Sequence, residues 1–165
     1  MKKIILLSAL AIVSLNLFAQ RAKEQSWKDL SLLLGQSRIS LVVDFSKADI
    51  LNMDAEDFIA QELDWDKGLA EMKTKFIQAF NEKSSVRAVT SKETDYTLTI
   101  IPLTVTESGS HIKGILSITN KEGLEVFQHR FDNEAGMFGS AINLMGDAFE
   151  DLGEELGKIF KKNVK

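Results

Sequence analysis

His111 and His129 are the only imidazoles in this 165-residue chain, and there is no cysteine. A zinc or similar centre needs three or four nitrogen and sulfur ligands, and a nucleophilic triad needs a histidine beside a serine and a carboxylate. Both histidines fall in segments that read as adjacent strands, His111 to Thr119 and Leu124 to Phe131. Pairing about the Asn120–Gly123 turn places 111 near 132 and 114 near 129, so the two rings stand about three rows apart. No shared ligand is expected, and no serine sits in a Gly-x-Ser-x-Gly elbow. Asp44, Asp64 and Asp66 have the chemistry for acid–base work, but their spacing does not select them. The acidic run from Asp147 to Glu155 continues through a helical pattern, with Lys158 four residues beyond Glu154. It reads as a solvated helix face; a calcium loop instead needs oxygen ligands in a turn with a fixed glycine.

Glycine supplies the next group. Gly136 and Gly139 flank Met137 and Phe138 ahead of the C-terminal helix. A glycine-rich loop before a helix is a phosphate-cradle geometry. Here the Gly-Lys-Ser/Thr ending is missing, and Asp132, Glu134 and Asp147 would repel a phosphate. Gly139, Gly146 and Gly153 follow at seven-residue spacing, with Gly157 one turn further on. Each glycine costs about 1 kcal/mol relative to alanine inside a helix, so the series needs a reason. Two reasons compete: close packing of this helix on the protein's own sheet, or a GxxxG-type seam for another helix or a membrane. The acidic face argues against a bilayer. No cofactor and no metal site is expected.

These residues must be held by elements whose periods are visible. Ile39, Leu41, Val43 and Phe45 alternate with Ser40, Val42 and Asp44, a strand with one apolar face. The segment 20–38, with Trp27, Leu30 and Leu32-Leu33-Leu34, reads as a short strand or helical turn, then a loop. Asp54 before Ala55-Glu56-Asp57-Phe58 reads as an N-capped helix start. A helix from about Asp66 to Asn81 carries the stripe Leu69, Met72, Phe76, Ile77 and Phe80. Val86 to Val89 is a brief strand, and Tyr96 to Thr106 a long one. Pro102, the single proline, cannot donate to a ladder, so that strand is expected to be an edge or to bulge there. Two further strands complete a meander. The terminal helix, from about Gly139 to Lys162, repeats Ile142, Met145, Phe149, Leu152, Leu156 and Ile159. Trp27 and Trp65 are expected to anchor loops to the core. The expected fold is α+β: a two-layer sandwich, a mixed four- to five-stranded sheet with two main helices on one face. The first strand–helix–strand step should be a parallel crossover.

The N-terminus sets an expected address. Lys2 and Lys3 precede an apolar run from Ile4 to Val13 and an exit at Leu17-Phe18-Ala19-Gln20. This is the pattern of a signal peptide over residues 1–19, cut after Ala19, with residues 20–165 as one domain. The run is interrupted by Ser8, Ser14 and Asn16, short of the ~20 apolar residues of an anchor. Without a cysteine there is no lipid-accepting residue and no disulfide. The product is therefore expected to be exported, periplasmic or extracellular, with no integral membrane anchor after cleavage and not a lipoprotein. Loss of Lys2 and Lys3 leaves 18 basic against 24 acidic residues, a net charge of −6. That balance disfavours nucleic acid as a partner.

Two stretches carry a resemblance: Leu41-Val42-Val43-Asp44-Phe45-Ser46-Lys47-Ala48, and Gly136-Met137-Phe138-Gly139-Ser140-Ala141-Ile142-Asn143-Leu144-Met145-Gly146-Asp147 running on to Leu156-Gly157-Lys158-Ile159-Phe160-Lys161-Lys162. Over most of residues 39–162 the chain resembles a family of small exported Bacteroidales proteins of unknown function. It departs at Glu134-Ala135-Gly136, where that family often pairs two glycines. In element order it also resembles the βαββα domains of the TolB N-terminal part and of the curli-secretion channel family. The resemblance implies no catalytic residues and suggests work by binding.

A non-enzymatic envelope or secreted protein that binds a protein or envelope component is thus the expected role. Its expected contact surfaces are the meander edge near Pro102 and the loop Asn133, Glu134, Gly136, Met137, Phe138, Gly139 and Ser140. One alternative is a carrier of a small apolar ligand or lipid, in a pocket lined by Phe76, Phe80, Met145 and Phe149. Another is a hydrolase-type enzyme using carboxylates such as Asp44.

Overall fold

The computed structural model describes residues 26–106, 108–136 and 138–164. The leader reading for residues 1–19 and the contact role of Met137 lie outside the described residues.

The alternating segment forms strand β1 (Arg38–Val43). The chain then makes two short strands, β2 (Asp49–Ile50) and β3 (Met53–Asp54). Helices α1 (Ala55–Gln61) and α2 (Trp65–Lys83) follow. After them come β4 (Arg87–Val89), β5 (Tyr96–Val105), β6 (His111–Asn120), β7 (Glu125–Glu134) and the terminal helix α3 (Ala141–Asn163). A 3-10 turn over Trp27–Leu33 precedes β1, with Ser26 and Asp29 forming a capping box at its start.

All seven strands join one mixed sheet. β1 runs parallel to β4, as expected for the first crossover, and parallel to β5 on its other side. β5, β6 and β7 form the antiparallel meander. α2 lies over the β4 side and α3 over the β6–β7 side of the same face. The α+β expectation therefore holds, and the strand count rises through two two-residue strands, β2 and β3.

That addition has a local cause. Leu51 and Asn52, the two residues between β2 and β3, both have positive φ, 54° and 64°. Two left-handed residues in succession make the tight hairpin whose twist suits its strands. Leucine is a costly choice there. Its amide donates to the Val105 carbonyl at 3.1 Å, and its side chain packs partly into the core. Tertiary contact overrides local preference, so no Asn-Gly or Asp-Gly signal marks the turn.

Pro102 is not at an edge. β5 is flanked on both sides, by β1 and β2 along one and β6 along the other, and Pro102 is buried. The bulge half of the expectation does hold: the β5–β6 register shifts between Pro102 and Thr104. Proline fits because β1 stops opposite Ile100 and β2 starts opposite Thr104. The gap between them asks no amide of residue 102.

The core is a single cluster. Met72, Phe76 and Phe80 of α2 meet Met145, Phe149, Leu152, Leu156 and Phe160 of α3 over Ile39, Leu41, Leu98, Ile100, Leu116 and Ile118 of the sheet. Leu69, Ile77, Ile142 and Ile159, at the margins of the expected stripes, are only partly buried against it. Trp65 sits edge-on to Phe45 and Phe58, with ring centroids at 5.0 and 5.9 Å. Trp27 lies 5.8 Å from Phe127. Both tryptophans anchor their segments, as expected.

The glycine series resolves against α2 rather than against the sheet. A β-carbon on Gly153 would stand 2.6 Å from the Phe76 carbonyl oxygen, and one on Gly157 2.7 Å from that of Phe80. The seam is reciprocal: a β-carbon on Gly68 of α2 would meet the Ile142 side chain at 2.5 Å. Gly139 precedes the helix, with φ 148°. The GxxxG-type spacing therefore does serve a second helix, and that helix belongs to the same chain.

Candidate functional site

The loop that leads into α3 is assembled from three sides. Asn133, the penultimate residue of β7, is buried, and its amide nitrogen donates to the Ala148 carbonyl at 2.8 Å. The Ala135 amide donates to the Ser110 carbonyl at 3.0 Å, and Ala135 is buried. Under the helix start sits Gly109, φ 83°, where a β-carbon would fall 2.7 Å from the Ala141 carbonyl oxygen. Ser140 caps α3 by accepting the Asn143 amide at 3.4 Å. The loop is thus tied at both ends and along its base.

Between those ties the chain is exposed. Glu134, Gly136, Gly139 and Ser140 face solvent, and the Phe138 ring is 89% exposed. Gly136 has φ 59° and lies over Leu144 and Asp147, so a side chain there would be strained and crowded. Of the expected contact residues, Glu134, Gly136, Phe138, Gly139 and Ser140 share one surface. Asn133 and Pro102 do not join it: the first is a buried tether, the second a buried mid-sheet residue.

Sequence reasoning missed the partner of this loop. A cavity of about 240 Å3 opens beside it, bounded by Ser140, Ile142 and Asn143 on one side and by Glu62, Asp64, Lys67 and Glu71 on the other. Leu63, between Glu62 and Asp64, is fully exposed. Phe138 and Leu63 therefore stand on segments that border one cleft, at the N-terminal ends of α2 and α3. The signal was present as an isolated leucine between acidic residues. Only the pairing of the two helices reveals that it neighbours residues 138–140.

The remaining candidates are engaged elsewhere. His111 bonds Asp132, which also pairs with Lys113 at 3.0 Å. The His111 hydrogen bond, then that from Lys113, hold the Asp132 carboxyl below its ordinary range. His129 lies under Trp27, with ring centroids 3.9 Å apart. Its strand partner is Leu116, while His111 faces Glu134. The actual register is thus two residues off the 111–132 pairing expected from the turn: the turn closes Asn120 against Leu124 rather than Gly123, which adds one residue, and a bulge between Ile118 and Thr119 adds the other. The histidines remain far apart. Asp44 accepts the Ser46 amide at 2.9 Å, and its bonds from Ser46 lower its pKa. Asp64 heads α2 without a side-chain capping bond. Asp54, expected to cap α1, makes no side-chain cap bond either; it belongs to β3 opposite Asp49.

The acidic face of α3 is tied to lysines. Lys75 of α2 reaches Asp147 at 2.6 Å and Glu150 at 3.6 Å, and Lys158 reaches Glu154 at 2.6 Å. Phe76, Phe80, Met145 and Phe149, the expected carrier lining, are at most 1% exposed and pack within the core. Among the described residues, no three His, Asp or Glu side chains are grouped to hold a metal, and no helix is long and apolar enough to cross a membrane.

No protein-family model matches the chain, and no curated protein matches it. Among solved structures, it is similar to a Xanthomonas campestris protein of the DUF330 family, at 12% identity and a TM-score of 0.47. The match covers 79% of this chain and 87% of that one.

Proposed function

We propose that this is an exported, non-enzymatic binding protein of the cell envelope or the exterior. It would engage a protein or an envelope component through the surface formed by Glu134, Gly136 and residues 138–140 and by the 62–64 connection. The observation that carries this reading is Phe138, a phenyl ring 89% exposed on a loop braced by Asn133, Ala135 and Ser140. Exposed leucines scattered singly need no explanation. A ring in water beside tethered residues, with exposed Leu63 on the other segment that borders the cleft, is the arrangement of a contact patch. The charged leader pattern, and the resemblance of the Asp44-Phe45-Ser46 strand end and the Gly136–Asp147 helix entry to small exported Bacteroidales proteins, support the address. The carrier alternative gains nothing from rings that fill the helix–sheet interface.

Affinity capture from envelope extracts, with the wild-type chain and a Phe138→Ser/Leu63→Ser double variant side by side, tests the reading. The wild type should retain a component that the double variant loses while both melt alike. Retention of nothing, or equal retention by both, refutes it.

A further inference from the structure

A second feature lies at the opposite end of α2, where β1 and β4 begin. Arg38 and Arg87 are direct partners in the parallel β1–β4 ladder. Partners in register project from the same face, so both arginines leave neighbouring strands on one side of the sheet, and both are exposed. Like charges so placed repel. The lysines at positions 75, 83, 113 and 158 all pair with carboxylates. Arg38 and Arg87 have no ion pair among the described residues, and neither do Lys92 and Lys121 nearby. Other exposed lysines among the described residues are unpaired too, so what distinguishes this corner is that two arginines face each other in register on neighbouring strands.

The corner is also concave. Arg38, Lys92 and Lys121 line a cavity of about 520 Å3 together with Ser37 and Gln36. Arg38 further borders a second cavity of about 490 Å3, shared with Arg87. One wall is fixed. The Ser40 amide donates to Thr94 Oγ1 at 3.1 Å, the Ser40 hydroxyl donates to the Ser91 carbonyl, and Thr94 Oγ1 donates to the Tyr96 carbonyl at 2.7 Å. The 90–95 loop is thereby pinned over the start of β1 and carries Lys92 into the cavity. Glu93 and Asp95 also line it. Those carboxylates oppose an anion there, whereas the cavity shared by Arg38 and Arg87 has no carboxylate in its lining.

We propose that Arg38 and Arg87, which line one cavity, form a binding site for a small tetrahedral oxyanion of the phosphate or sulfate class, with Lys92 and Lys121 of the adjoining cavity adding only long-range attraction. The group is either free in solution or the terminus of a larger ligand. Arginine forks match such oxygens in pairs, and an anion between Arg38 and Arg87 replaces their repulsion by charge-assisted bonds. This site is independent of the Phe138 surface and fails or stands separately from it.

Titration of the isotope-labelled protein with inorganic phosphate, sulfate and glycerol phosphate at low ionic strength reads the site by amide resonance shifts. Saturable shifts are expected at Arg38, Ala88 and Thr90, with a dissociation constant on the order of 1 mM or tighter for at least one probe. Tighter binding of the ester marks a larger phosphorylated ligand as the source; equal binding marks the free anion. Arg38→Gln and Arg87→Gln, both exposed, should each weaken binding at least about tenfold. Lys113→Gln, on the far strands, should leave it unchanged. Linear shifts without saturation for all three probes, or saturation that survives both arginine variants, overturn the proposal.

Discussion

Asp151 and Asp44 show how two aspartates of one chain answer pH with opposite signs. Burial, then repulsion by Glu150, Glu154 and Asp147, raises the Asp151 carboxyl above its ordinary range. Its neutral form is the one the fold favours. Its contribution to stability is therefore present below the ordinary aspartate pKa and is lost as pH rises through the raised folded value. Asp44 behaves in reverse. Its bonds from Ser46 lower its pKa, so its contribution is present above the ordinary value and lost as pH falls through the folded one. Asp151→Asn should stabilise the protein at neutral pH, by no more than about 0.5 kcal/mol for so exposed a site. The variant should also remove the decline between those two pKa values. Urea unfolding at a series of pH values reads both effects, and a variant that tracks the wild type at every pH contradicts the sign. Asn133 illustrates what residue type alone hides. Its amide ties β7 to the α3 backbone, yet in the sequence it is one more polar loop residue.

At the scale of elements, the two long helices make the clearest case for reading pattern and the clearest limit to it. The stripes Met72-Phe76-Phe80 and Met145-Phe149-Leu152-Leu156 were legible because helical period and burial coincide. What faces them was not. Gly153 and Gly157 lie against the backbone of Phe76 and Phe80, whereas a β-carbon on Gly146 would meet only the Lys75 side chain, at 3.6 Å. The same substitution should therefore change sign along one helix. Gly146→Ala should stabilise by about 0.4–1 kcal/mol, through propensity and unfolded-state entropy. Gly153→Ala should destabilise by about 1–3 kcal/mol, because its methyl meets a carbonyl that cannot turn aside. Chemical denaturation midpoints distinguish them, and equal shifts would remove the seam. The candidate surface was half legible for a similar reason. Phe138 and the glycines around it stand out locally, but Leu63 comes into view only when α1 and α2 are joined beside α3. The β2–β3 hairpin was invisible, since its left-handed turn is Leu51-Asn52 and its support is tertiary. Pro102 reported a bulge correctly and an edge wrongly, because a missing amide suits a break between two neighbours as well as open solvent.

Over the whole molecule, the sheet treats its β4 and β7 edges differently. On β4 the Ala88 backbone is satisfied by one side chain: its amide donates to Asn81 Oδ1 at 2.7 Å, and its carbonyl accepts from Asn81 Nδ2 at 3.1 Å. That amide of α2 stands where the next strand would be, and so closes the edge. Along β7 the guard is charge instead, from Glu125, Arg130, Asp132 and Glu134, all exposed. Asn81→Leu should leave two backbone groups unpaired, at a cost of about 1–3 kcal/mol, and should open β4 to strand addition. Sedimentation velocity at increasing concentration would then show self-association absent from the wild type; a monodisperse, equally stable variant would mean that the edge needs no cap. The placement of β5 carries a consequence for how the molecule comes into being. The central strand spans residues 96–105, and β1 and β2 lie end to end along one of its sides. A chain emerging from the ribosome thus exposes every apolar residue of β1 and α2 before the strand that organises them arrives. Up to that point only three residues of β4 are there for β1 to join. The β5–β6–β7 meander, by contrast, closes through short turns and needs nothing upstream. Assembly should start late in the chain and recruit the earlier half afterwards, leaving a window in which that half depends on a chaperone or on staying extended.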